Sequence, residues 1–229
     1  MRTLACTLAT SVVLLVGTAA HATTITYATA AAFTAANPGL QVEGFQNAST
    51  SATTPFVGPL NSSTNNAAFT PGHILAGLTI QTNSNNMFLA AAGQSSNPTL
   101  AVGSDFPDTD ALDLLFSPSV TAVGFDIFQN FGGGGQSGSP QTYVASVFGT
   151  GGLIGSFNTV VPSGSAGFFG ITSTDPIVRI SLLGPNAFEV IDNVRFGAAA
   201  VPEPASMLLL GTGLIGMGAR RWRKRQQRG

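Results

Sequence analysis

Short runs of alternating apolar and polar residues, each closed off by Gly, Pro, Asn or Ser, constrain this chain more than any other feature. Leu112, Leu114 and Phe116 share one side with Asp113 opposite, and Val123, Phe125 and Ile127 do the same against Asp126. Tyr143, Ala145 and Val147 form a third run, while Val178, Ile180 and Leu182 alternate with Arg179 and Ser181. Phe188, Val190, Val194 and Phe196 make a last, long strand. A period of two places the apolar set on one face of a strand. Weaker strands are expected at 24–27, 40–45, 74–80, 87–90 and 153–157. Turn-forming clusters at 61–66, 83–86, 132–140 and 162–167 separate them. Only 28–36 suggests a helix, of one turn or two. The pattern predicts an all-β antiparallel sandwich over residues 23–198. Ala-Ala-Phe-Thr occurs at 31–34 and 67–70, but without a surrounding match it makes no repeat.

The two ends of the 229-residue chain are of another kind. Arg2 precedes an apolar stretch over 4–17, and Ala20-His21-Ala22 offers small residues at the two positions a signal peptidase inspects. Residues 1–22 therefore read as a secretory signal, cut after Ala22. Cys6, the one cysteine, leaves with it, so disulfides cannot stabilise the mature chain. At the other end, Pro202-Glu203-Pro204 stands before an uncharged run, 205–219, and then Arg220-Arg221-Trp222-Arg223-Lys224-Arg225. The prolines stop an apolar helix from extending backwards. Fifteen helical residues span roughly 22 Å, short of a hydrocarbon core of about 30 Å. Trp222 suits the interface, and the basic tail, 220–228, should stay cytoplasmic. Gly211-Thr212-Gly213-Leu214-Ile215-Gly216 matches a dinucleotide fingerprint in letters only. It lies inside the apolar run, with no strand before it and no acidic residue about 20 positions on.

Residues 201–225 resemble the PEP-CTERM sorting signal of exported bacterial proteins: a Pro-Glu-Pro motif, a short membrane segment and an arginine-rich end. The resemblance implies recognition by an exosortase, with Pro202, Glu203 and Pro204 acting as substrate. It implies a chain held transiently in the inner membrane over 199–229, then released to the cell surface or extracellular polysaccharide matrix. The stretch from Phe168 through Ile180 to Ile191-Asp192-Asn193-Val194-Arg195-Phe196 also resembles the closing strands of many PEP-CTERM bodies, which are similar to lectin-like jelly rolls and carbohydrate-binding modules.

Catalytic chemistry is poorly supplied. Residues 23–198 contain one histidine, His73, and no cysteine, so a zinc site of His and Cys ligands cannot form. A triad through His73 is possible in composition alone, and a histidine beside Pro71-Gly72 reads more simply as a loop residue. Carboxylates are present in number, yet no spacing marks a glycosidase pair. The chain is expected not to be an enzyme. The same segment holds nine acids against Arg179 and Arg195, a balance unsuited to nucleic acid.

Asp192 falls in phase with Phe188, Val190, Val194 and Phe196, so strict alternation turns a carboxylate into the core. A buried charge needs a cation, a partner or neutralisation. Three answers stand open: structural calcium, with Glu43 as second ligand; a β-bulge that turns Asp192 outward; or pairing with Arg179 or a backbone donor. Around Asp105, Asp108 and Asp110, solvated loop acids are expected, since the Gly and terminal Glu of an EF-hand are missing. Two function classes follow: a non-enzymatic component of the surface or matrix, or a glycan-binding module beside the polysaccharide. Phe outnumbers the other aromatics, with Tyr27 and Tyr143 the only tyrosines, which favours the structural reading.

Overall fold

The computed structural model describes residues 23–105, 110–130, 138–184 and 188–199. Twelve strands and one short helix follow in order: β1 (Thr24–Tyr27), α1 (Ala30–Ala36), β2 (Gln41–Glu43), β3 (Thr54–Val57), β4 (Leu60–Asn61), β5 (Leu78–Gln81), β6 (Asn86–Ala90), β7 (Ala101–Ser104), β8 (Leu112–Asn130), β9 (Gln141–Gly149), β10 (Gly152–Val161), β11 (Gly167–Leu183) and β12 (Phe188–Gly197). All pairings are antiparallel.

Two long strands, β8 and β11, make the sandwich. Each bends at an exposed tripeptide, Ser117–Ser119 in β8 and Thr174–Pro176 in β11, and so serves two layers. The Ser117–Pro118 bond is cis. In the first layer the order is β4-β5-β8-β11-β9-β10, using Leu112–Phe116 and Ile177–Leu183. In the second it is β1-β11-β8-β12-β7-β6-β3, using Gly167–Ser173 and Val120–Asn130, with β2 also on β12. Strands that cross between layers at bends are the usual corners of packed sheets. Leu112, Leu114, Phe116, Ile180, Leu182, Tyr143, Ala145 and Val147 from the first layer meet Val123, Phe125, Ile127, Phe169, Ile171 and Ile191 from the second in one core.

The outer faces differ. On the first layer Thr142, Val144, Ser156, Asn158, Val160 and Leu183 are partly or fully exposed. The second layer is covered. Helix α1, capped by Thr29, lays Phe33 over two glycines where β8 and β11 run side by side. A Cβ at Gly124 would come within 2.8 Å of Phe33, and one at Gly170 within 2.9 Å, so the glycines admit the ring. Further along, Phe88, Phe128, Val190 and Phe188 form a second small cluster.

Several sequence expectations shift. The helix starts at Ala30 rather than 28, and the strand expected over 74–80 begins only at Leu78. Strands β3, β4 and β7 were not expected; β7 is buried at every position and so shows no alternation. In β11 the core face is carried by Ile177, Ile180 and Leu182, not Val178, because pairing slips on both sides of Ile177. The expected signal segment and apolar helix lie outside the described residues. Among the described residues no helix is long and apolar enough to cross a membrane.

Candidate functional site

The sorting residues Pro202, Glu203 and Pro204, and the signal residues Ala20 and Ala22, lie outside the described residues. The described chain is nonetheless tied down at both its ends. Thr23 N–H donates to Thr174 Oγ1 at 3.0 Å, and Thr174 N–H returns a bond to Thr23 O at 3.1 Å. Ala199 N–H donates to Thr121 Oγ1 at 2.7 Å.

Its carboxylates are the first chemical feature. β12 does not keep one face throughout: pairing with β8 shifts between Asp192 and Arg195, and Asn193 takes a left-handed φ of 49°. Asn tolerates that conformation better than most residues. The bulge places Phe188 and Val190 on the outer face and Val194 and Phe196 on the core. Asp192 keeps phase with the first pair, directly opposite Asp126 of β8. It is buried all the same: its Oδ2 accepts from Thr99 Oγ1 at 2.6 Å and its Oδ1 from Asn193 N–H at 2.6 Å. Burial outweighs these bonds and raises its pKa to about 6. Burial also raises Asp126, despite Arg195 at 3.7 Å and a bond from Asn193 Nδ2 at 3.0 Å.

Glu43 lies opposite Val194, hence on the core side. Its Oε1 accepts from Phe45 N–H and its Oε2 from Leu75 N–H, both at 2.8 Å. Glu43 thus stands in the core phase of its strand and Asp192 in the outer phase of the neighbouring one, each with both oxygens bonded by the chain itself. Among the described residues no three His, Cys, Asp or Glu groups cluster to hold a metal ion. Arg179 pairs with Asp113 at 3.4 Å, not with Asp192.

One acid matters whose burial sequence reasoning missed. Glu189 is fully buried, with Ser104 Oγ at 2.6 Å and Gly184 N–H at 2.7 Å, and burial pushes it up to about 7. It shares the core phase with Ile191, a signal hidden by the expected Phe188–Val190 face. Tyr143 packs on Gly184; its buried hydroxyl has no partner, and burial with the nearby Glu189 raises its pKa. Asp110 is buried too, which corrects the expectation of a solvated loop acid. It accepts from Asn83 N–H, Ser84 N–H and Ser84 Oγ.

The second feature is a cleft at the open side of the sandwich. After the turn at 162–166, β11 joins the second layer while β10 stays in the first, and β1 pairs with β11 only as far as Tyr27. The edges of β1 and β10 face each other unpaired. Between them lies a hollow of about 540 Å³ lined by Thr26, Tyr27, Ala28, Ser156, Asn158, Thr159 and Val160, with Phe157, Phe168 and Phe169 beneath. Phe157 and Phe169 sit 6.3 Å apart, and Tyr27 is held edge-on to Phe33 at 5.4 Å. Thr159 Oγ1 donates to Phe168 O at 2.9 Å. A smaller hollow of about 320 Å³ shares Ala28, Val160 and Phe168 and ends at Asp126. Among the described residues no charged side chain lines the larger hollow.

His73 bonds Thr70 Oγ1 through Nε2 at 2.8 Å, the local tie of a loop residue. Among the described residues no acid or serine bonds to its ring to orient it for nucleophilic work.

No curated protein matches the chain. One solved structure with a detectable likeness holds CBM22-1-GH10 modules of endo-1,4-beta-D-xylanase 10B from Clostridium thermocellum, complexed with xylohexaose. Identity is 8%, and the alignment covers 69% of this chain and 28% of that one, with a TM-score of 0.31. At that score the likeness carries no weight for fold or ligand. The C-terminal segment is different: a family model for the PEP-CTERM protein-sorting motif matches residues 200–224. The chain therefore carries a PEP-CTERM sorting motif, the mark of an exported protein processed at the membrane.

Proposed function

We propose that this protein is exosortase cargo: a non-enzymatic structural component of the bacterial surface or extracellular matrix. Signal peptidase removes residues 1–22, the apolar run at 205–219 holds the chain in the inner membrane, and an exosortase cuts near Pro202-Glu203-Pro204. The observation that carries this reading is the motif match over 200–224. A body with one loop histidine, no cysteine and carboxylates occupied by its own donors supports the non-enzymatic part. The reading requires no metal. Replacing Pro202-Glu203-Pro204 by alanines should leave a longer, membrane-held species on immunoblots of cell fractions. Unchanged release of a shortened body would refute the sorting role.

A second reading, polysaccharide binding, is favoured by the uncharged, aromatic-floored cleft between β1 and β10. Small-ligand sites are typically such hollows, with a few polar groups to fix orientation. Retention of the protein by matrix polysaccharide in affinity electrophoresis tests it.

A further inference from the structure

Resting on that second reading, we infer that the cleft between β1 and β10 takes a neutral sugar residue of a polysaccharide. The apolar face of the sugar lies on Tyr27 and Phe157, and its hydroxyls bond to Asn158 and Thr26.

Charge selects the class. Among the described residues the larger hollow has no charged side chain to pair with a carboxylate, sulfate or phosphate. The surrounding body carries nine acids against two arginines, which repels anionic polymers. Hydrogen-bonding capacity selects further. Within the described chain the side chains of Thr26, Tyr27 and Asn158 make no hydrogen bond, although each lines the hollow. Two hydroxyls and one amide present donors and acceptors together, and sugar hydroxyls are themselves both. Tyr27 and Phe157 are partly exposed, and the Phe33 contact holds the Tyr27 ring in place. A second, smaller hollow adjoins it through the shared Ala28, Val160 and Phe168, which leaves room for a polymer beyond a single sugar residue.

The alternative occupant of a gap between strand edges is an extended peptide, bound through backbone groups. The edges argue against it. β10 breaks register between Leu153 and Gly155, and Thr159 already spends its hydroxyl on Phe168 O. β1 offers only four residues. β1 is this short, and β10 keeps regular pairing only over 155–161, so the backbone length on offer to a peptide is small.

The test is affinity electrophoresis of the mature, exported protein in gels containing dextran, laminarin or galactomannan, against alginate and hyaluronate. At least one neutral polymer should retard it and the acidic ones should not. Asn158→Ala and Tyr27→Leu should each weaken retardation about tenfold, the scale of one lost hydrogen bond or ring contact in a desolvated site. Thr79→Ala, on the open face of the first layer, should change nothing. Thermal melts confirm that each variant folds, and tyrosine fluorescence, with no Trp in the body, reports ligand at Tyr27 independently. Neutral-polymer binding that survives the double variant overturns the cleft while leaving polysaccharide binding intact. Retardation by acidic polymers alone overturns the neutral-sugar assignment. Retardation by none of the five overturns the binding reading itself.

Discussion

The two layers of the sandwich contribute to the same core yet treat their outer faces in opposite ways. The first layer turns Thr142, Val144 and Leu183 to solvent, and its buried acid, Asp113, has Arg179 beside it. The middle of the second layer is buried on both sides, under two aromatic clusters of which α1 carries one, and it collects Asp126, Asp192 and Glu189. Of these, and among the described residues, only Asp126 has an arginine within ion-pair distance. Stability and its pH dependence therefore belong to the second layer. The outer face of the first layer, away from the cleft, is left free to be substituted.

The largest effect should come from the cover. Phe33→Ala removes a fully buried ring over Gly124 and Gly170 and should cost about 3–5 kcal/mol in urea unfolding. A cost below about 1 kcal/mol would make α1 an ornament and dissolve the contrast.

Next comes pH. Glu189 is raised from 4.5 to about 7 by burial, so the folded state holds its proton where the unfolded chain has lost it. Its stabilising contribution is complete below about pH 4.5 and drains away as pH rises towards 7. The scale is about 3 kcal/mol. Melting temperature should fall between pH 5 and pH 8, and Glu189→Gln should flatten that fall. A rise over the same range in the native chain would place the controlling group elsewhere.

Gly170→Ala should cost about 1–3 kcal/mol, because the new methyl must displace Phe33 or Phe168. The matching change on the open face, Val144→Ala, should stay within about 0.5 kcal/mol. The smallest expected effect is none: a chelator should leave the melting temperature unchanged, since Glu43 and Asp192 already have donors from the chain.

The same contrast explains what could be read from the sequence. In β9 one side meets water, so Tyr143, Ala145 and Val147 announce the core by strict alternation, and the structure agrees. In β12 and β7 both sides are buried, and apolar residues fill either phase. The bulge at Asn193 then moved Asp192 off the face it shared on paper with Val194 and Phe196. No local pattern marks a bulge residue whose neighbours are apolar on both sides. The cleft was illegible for another reason. It arises because β10 and β11 part company into different layers, a long-range consequence of two bends, and only Tyr27 and Asn158 together would have hinted at it. The sorting segment, by contrast, is a linear signal read as an extended chain of residue types, and it needed no fold to be seen.

The most direct test of the account is the intact mass of the protein recovered from the cell surface. The account predicts a chain beginning at Thr23 and ending near Pro202–Pro204, without Arg220 to Arg228. A surface form that retains the full basic tail would contradict it.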